Sequence, residues 1–178
     1  CPGHVSIIIG AAAYRPLAEK YSMPCVITGF EPVDIMQGII MLVKQRNQHR
    51  PTVEIAYQRA VTEEGNKRAQ QVLVTVFTPC KASWRGLGEI ALSGLAISDA
   101  YQHFDAEKRF DLRVENVVEP KGCKCGEVLK GVMLPPECKL FARSCKPEHP
   151  IGPCMVSSEG ACAAYFRYGK EIGGTKRS

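Results

Sequence analysis

The cysteines are the residues of this sequence with the widest chemistry, because a thiolate is a nucleophile, a redox partner and a soft metal ligand. There are nine in 178 residues, and six of them fall between Cys123 and Cys162. With Cys138 and Cys145 as the middle pair and Cys125 and Cys162 outside them, the spacing is Cys-x12-Cys-x6-Cys-x16-Cys. Four thiolates satisfy either a tetrahedral zinc ion or a [4Fe–4S] cube, so ligand number does not choose between them. Spacing is more informative. Structural zinc sites usually contain short Cys-x2-4-Cys knuckles, which Cys138, Cys145 and Cys162 lack, whereas long uneven intervals suit a cluster whose irons occupy separate corners. Cys123-Lys124-Cys125 leaves open which thiol comes first. A structural zinc ion, or disulfides stapling a loop-rich interaction domain, stands as the alternative. Pro135, Pro136, Pro147, Pro150 and Pro153 stiffen the intervening loops and limit the entropy lost when a small module orders around its metal.

Other residues are weaker candidates. His4 and Ser6 fall near the start of an expected helix, where free backbone N–H groups could hold a small anion; a helix cap is the plainer reading. Glu31 sits between an expected strand and helix, where open α/β sheets place ligand-facing residues. Glu is a poorer cap than Asp or Ser, which favours a cleft role for it. Trp84-Arg85-Gly86 reads as a docking turn or a packed pair, and Glu159 as a neighbour of the metal ligands or a surface charge. Cys1, Cys25 and Cys80 stand singly and read as small apolar residues. No phosphate-binding glycine loop and no Ser/His/Asp set is present, which argues against an independent hydrolase or dehydrogenase.

Residues 1 to about 50 alternate helical and extended signals: a stretch from Val5 to Tyr21, a short strand within Pro24 to Gly29, then a helix opened by Phe30-Glu31-Pro32. Pro32 suits a first turn, and Val33, Met36, Ile39, Ile40 and Val43 recur at helical spacing, predicting one face packed on a sheet. Lys44, Arg46, His49 and Arg50 fall near its end, where the helix dipole favours cations. Val53, Ile55 and Tyr57 alternate with Glu54, Ala56 and Gln58 as in an edge strand, and Glu63 to Phe77 reads as a helix with Ala69, Val72, Leu73 and Val76 on one face. Glycines break residues 84–95 into short strands and turns, and 111–118 reads as a strand. The fold class is α/β: partial αβα layered lobes over 1–119, a small Cys-rich iron–sulfur module over 120–169, and a disordered tail over 170–178.

The formal charge is +5, from 23 basic and 18 acidic residues. The two signs are interleaved with no basic stripe, so nucleic acid is not an expected partner. No apolar run approaches the roughly 20 residues of a membrane span. The first residues lack a secretory pattern, and the cysteines gather at one end, unlike a secreted disulfide scaffold; the expectation is a cytoplasmic protein. Cys1-Pro2-Gly3-His4 reads as a chain cut within a domain.

Five motifs resemble the HypD family in order: Gly3-His4-Val5-Ser6, Gly29-Phe30-Glu31-Pro32, Trp84-Arg85-Gly86-Leu87-Gly88, Cys125-Gly126-Glu127-Val128-Leu129 and Met155-Val156-Ser157-Ser158-Glu159-Gly160-Ala161-Cys162. The resemblance reaches about Gly169. It implies the carboxyl-terminal half of a hydrogenase maturation scaffold with two α/β lobes facing a cleft and a terminal iron–sulfur domain. That scaffold assembles the Fe(CN)2CO unit of [NiFe]-hydrogenases with a HypC-like chaperone and a HypE-like cyanide donor, holding Fe(CN)2CO transiently on the full-length protein. Carried over, Cys125, Cys138, Cys145 and Cys162 are the [4Fe–4S] ligands, and Cys123 and Cys154 are spare thiols. The family's amino-terminal Cys-Gly-Gly-His-Thr-His and Gly-Pro-Gly-Cys-Pro-Val-Cys motifs, associated with iron holding and redox exchange, are absent from this sequence, so a separate amino-terminal half is an implied partner.

Overall fold

A computed structural model describes residues 1–84, 86–110 and 120–172. The chain divides into two compact units, Cys1–Thr78 and Pro79–Ser178.

The first unit begins with helix α1 (Gly3–Ile9), which stops at Gly10. Gly10 has a φ of +79°, and a side chain there would strike the backbone of Glu63 and Glu64, so only glycine lets these segments cross. A 3-10 turn (Ala11–Tyr14) and helix α2 (Arg15–Tyr21) follow, and α2 ends at Ser22 in the left-handed conformation. The expected helical stretch from Val5 to Tyr21 is therefore three short pieces. Strand β1 (Cys25–Ile27) pairs in parallel with β2 (Val53–Ile55), Val26 opposite Glu54. Between them runs helix α3 (Pro32–Asn47), with Pro32 in its first turn as expected. Helix α4 (Lys67–Val76) starts four residues later than Glu63, because the Asn66 side chain accepts a hydrogen bond from the Ala69 N–H and caps it.

Ile27 is fully buried with Ala11 and Val61, and Ile7, Tyr14, Val53, Ile55 and Tyr57 pack around them. Helix α3 meets this core differently from its sequence pattern. Its apolar stripe points outward: Val33, Met36, Ile39, Ile40 and Val43 are all exposed, Val33 by 76%. The buried positions are Asp34, Gly38 and Gln45. Gly38 lets the helix approach Thr28 closely, and the Gln45 amide donates to the Cys25 carbonyl and the Glu54 carboxylate while its oxygen accepts from the Thr52 N–H. Two short strands leave backbone groups needing partners, and a glutamine supplies them where an apolar residue could not.

The second unit holds most of a ribbon of β3 (Phe77–Trp84) and β4 (Gly88–Ile97), joined only by residues 85–87. So short a link excludes a parallel crossover. Both strands run longer than the glycine pattern predicts. A 3-10 segment (Asp99–Phe104) and helix α5 (Ala106–Arg109) follow. The expected strand at 111–118 lies outside the described residues. The cysteine-rich part contributes α6 (Cys125–Leu129), α7 (Pro153–Val156) and α8 (Ala161–Ile172). Helix α8 carries through 170–172, positions expected to belong to the tail, and 173–178 lie outside the described residues. Among the described residues no helix is long and apolar enough to cross a membrane.

Candidate metal centre

The core of the second unit is built from sulfur. Cys125, Cys145, Cys154 and Cys162 are buried together with Val128, Met155 and Ala163, and Cys123, Leu140, Phe141 and Phe166 pack against them. Helix α6 supplies Cys125 at its first residue, and the loop that follows supplies Cys138 and Cys145. Helix α8 supplies Cys162 in its first turn. Cys123, Cys125, Cys138, Cys145 and Cys162 line one small cavity of about 10 Å³, roughly the room of a single water. The structure thus brings together the four cysteines that the family resemblance implies, and with them Cys123, the other thiol that spacing left open. Cys154 is not on the cavity wall. Instead its backbone N–H donates to the Cys125 sulfur at 3.3 Å, and the Ile151 N–H donates to the Cys145 sulfur at 3.4 Å.

None of the nine cysteines forms a disulfide. Among the described residues, no three Cys, His, Asp or Glu side chains gather closely enough to hold a single metal ion. Burial pushes the Cys123 and Cys162 thiols up to about 11 and raises Cys125 and Cys154 as well, with neighbouring thiols adding to the effect at Cys162. The physical cause is removal of the charged form from water. Thiols so buried become anions only beside compensating positive charge, which a bound metal centre would supply.

Two features of this site were not visible in the sequence. Gly152 has no side chain because there is no room for one: a Cβ there would lie 2.5 Å from the Cys123 sulfur and 2.8 Å from the Cys125 sulfur. Gly126, next to Cys125, is pressed against the Gly86 carbonyl so closely that a Cβ could not fit. The turn between β3 and β4 therefore seats the residue that begins α6. Two motifs separated by some forty positions meet at this glycine pair, and the shared small-residue type is the only sequence signal of it. Trp84, beside that turn, donates to the Ser93 hydroxyl and is half-exposed, while Arg85 lies outside the described residues. Glu159 is an exposed residue whose N–H is held by Ser157.

In the first unit, His4 is exposed and its ring lies 5.0 Å from that of Phe30. Glu31 occupies the N-cap position of α3 through its backbone alone, since its side chain makes no capping hydrogen bond, and its carboxylate stands 3.6 Å from Arg59. Ser6 lies elsewhere. Its hydroxyl is fully buried, donating to the Pro2 carbonyl and lying 3.0 Å from the Tyr14 hydroxyl, so it is part of the packing of α1. Sequence reading missed Arg59. Its guanidinium forks onto the buried Asp34 at 2.6 and 2.9 Å and stacks 4.4 Å from the centre of the Tyr57 ring. These hydrogen bonds hold the Asp34 carboxyl below the usual range and raise Arg59. Residues following both parallel strands thus form a charged cluster beside His4 and Phe30.

Residues 1–169 match the family described as "HypD: Hydrogenase formation hypA family". The chain belongs to the HypD family. It is 52% identical over 170 residues to the hydrogenase maturation factor HypD of Cupriavidus necator, covering 95% of this chain and 45% of that protein. It is 45% identical over 168 residues to the HypD of Escherichia coli, covering 94% of this chain and 45% of that one. A hydrogenase expression/formation protein, HupD of Azotobacter chroococcum, is 47% identical over 171 residues, covering 96% of this chain and 45% of that protein. The chain thus spans about half the length of the curated HypD relatives it matches. The thiol-lined cavity lies wholly within the matched stretch.

Proposed function

We propose that this chain is part of a hydrogenase maturation scaffold in which Cys125, Cys138, Cys145 and Cys162 hold a [4Fe–4S] cluster. The observation that carries the reading is the convergence of those four thiols on one cavity, with backbone N–H groups directed at two of the sulfurs. Such hydrogen bonds stabilise thiolate charge and tune the potential of a cluster. The long, uneven sequence intervals between the four cysteines suit a ligand set spread over the corners of a cube better than a zinc knuckle.

When bound, the cluster would supply electrons or redox poise. The chain's own residues do the rest: they place four thiolates, shield them with Leu140, Phe141 and Phe166, and direct peptide dipoles at them. The cargo of the complete scaffold would be Fe(CN)2CO iron for a [NiFe]-hydrogenase, received with a HypC-like chaperone and a HypE-like cyanide donor. Its thiol chemistry would be completed by an amino-terminal half. His4 and Glu31, beside the Arg59 cluster, are the residues of this chain placed to line a cleft in that assembly, and a thiol-rich site of this kind fits a reducing, cytoplasmic setting. Anaerobic reconstitution with iron and sulfide should give a broad absorption band in the visible blue that Cys138→Ser loses. A colourless protein retaining stoichiometric zinc would sink the reading.

A further inference from the structure

A four-cysteine ligand set leaves Cys123 without a task, yet its sulfur stands inside the site. Cys123 and Cys125 both line the cavity. Both sulfurs crowd the same face of Gly152, and the distances of 2.5 and 2.8 Å to a Cβ built there place them no more than 5.3 Å apart, the two laid end to end. The two residues differ in how they are held. Cys125 is 5% exposed, opens α6 and accepts the Cys154 N–H, whereas Cys123 is half-buried and precedes the helix. Rotating a cysteine side chain between staggered positions moves its sulfur by roughly 3 Å, so either sulfur can reach a point between them.

We propose that Cys123 and Cys125 are interchangeable ligands for one corner of the bound cluster. This rests on the iron–sulfur reading above and adds a fifth thiol to it. The exchange is one thiolate for another: Cys123 loses its proton to solvent and bonds to iron as the Cys125–iron bond breaks, and Cys125 takes up a proton. No atom changes oxidation state, so no outside oxidant or reductant is needed. One corner then has a thiolate that can leave without loss of the cluster. Cys154 lies behind the cavity wall, its thiol against the Cys125 and Cys162 sulfurs and its N–H donating to Cys125, so Cys123 is the extra thiol that faces the cavity itself.

The test is anaerobic reconstitution of the full chain with ferrous iron and sulfide, read by visible absorbance, by EPR after reduction, and by iron and acid-labile sulfide content. Wild type, Cys123→Ala, Cys125→Ala and the double variant are compared. Each single variant should keep at least half the wild-type iron and sulfide, the Cys125→Ala sample with a displaced EPR signal, and the double variant should lose the cube. A Cys125→Ala protein without cluster beside a fully loaded Cys123→Ala protein overturns the exchange and leaves the cluster reading standing. A wild type that takes up no iron and sulfide defeats both. A second arm avoids any folding defect: loaded wild type is alkylated with iodoacetamide and mapped by mass spectrometry. One label per chain in this pair, distributed over both cysteines, is expected, and label confined to Cys123 overturns the proposal.

Discussion

Arg59 does three jobs with one planar group: it forks onto Asp34, lies over Tyr57 and faces Glu31. The sign of its pH effect follows from the carboxyl. Because the Arg59 hydrogen bonds hold Asp34 below its ordinary value of 3.8, the folded state binds that proton less readily than the unfolded chain. The stabilisation is complete above 3.8 and disappears as pH falls through the lower, folded value. Asp34→Asn should therefore melt at a lower temperature than wild type at neutral pH, with the gap closing as a series of thermal melts is carried into acid. A gap that stays constant with pH would show that the pair contributes no ionic stabilisation. Cysteine spacing was legible at this scale, since the number of thiols and the intervals between them are properties of sequence. Arg59 and Gly152 were not, because each matters through what it meets: Asp34 is 25 positions from Arg59, and Cys123 is 29 from Gly152.

Elements were legible where a local signal set them. Pro32 marked the start of α3, the run around Val26 marked β1, and the alternation at Val53 and Ile55 marked β2. Helix α3 shows where such reading stops. Its period was right and its orientation was not, because periodicity finds the apolar stripe and is silent about which neighbour will cover it. What docks the helix is Gly38 beside Thr28 and the three hydrogen bonds of Gln45, which is 3% exposed. Gln45→Ala would strand the Thr52 N–H and remove a donor from the Cys25 carbonyl, which should cost about 2 kcal/mol. Urea unfolding followed by far-ultraviolet circular dichroism measures it, and a midpoint equal to wild type would mean that water replaces the amide without loss. The seat of α6 against the turn after β3 was equally hidden, since glycine at 86 and at 126 carries no sign of their meeting.

At the scale of the whole molecule, helix α3 leaves a run of apolar groups at the surface, at 41 to 76% exposure from Val33 to Val43 by way of Ile35, Met36, Ile39 and Ile40. A contiguous patch of this kind marks an interaction surface, and relatives about twice as long have additional chain with which to cover one. In isolation the chain should self-associate. Met36→Lys with Ile40→Lys should shift it toward monomer in sedimentation velocity, and a wild type that is monomeric at tens of micromolar would contradict the assignment of that face. The general α/β class was readable from composition and alternation. The exposed stripe was not, because a sequence records which residues are apolar and does not record what they touch.

Four of the seven buried residues in the second unit's core are cysteines, so its packing is chemically alterable in a way that a core of leucine and valine is not. Dioxygen or peroxide reaching Cys145 or Cys162 would convert a compact apolar sulfur into a bulky sulfinate anion inside that core. Air would act on this fold as a slow denaturant, and a thiol lost to oxidation would cost the module part of its packing.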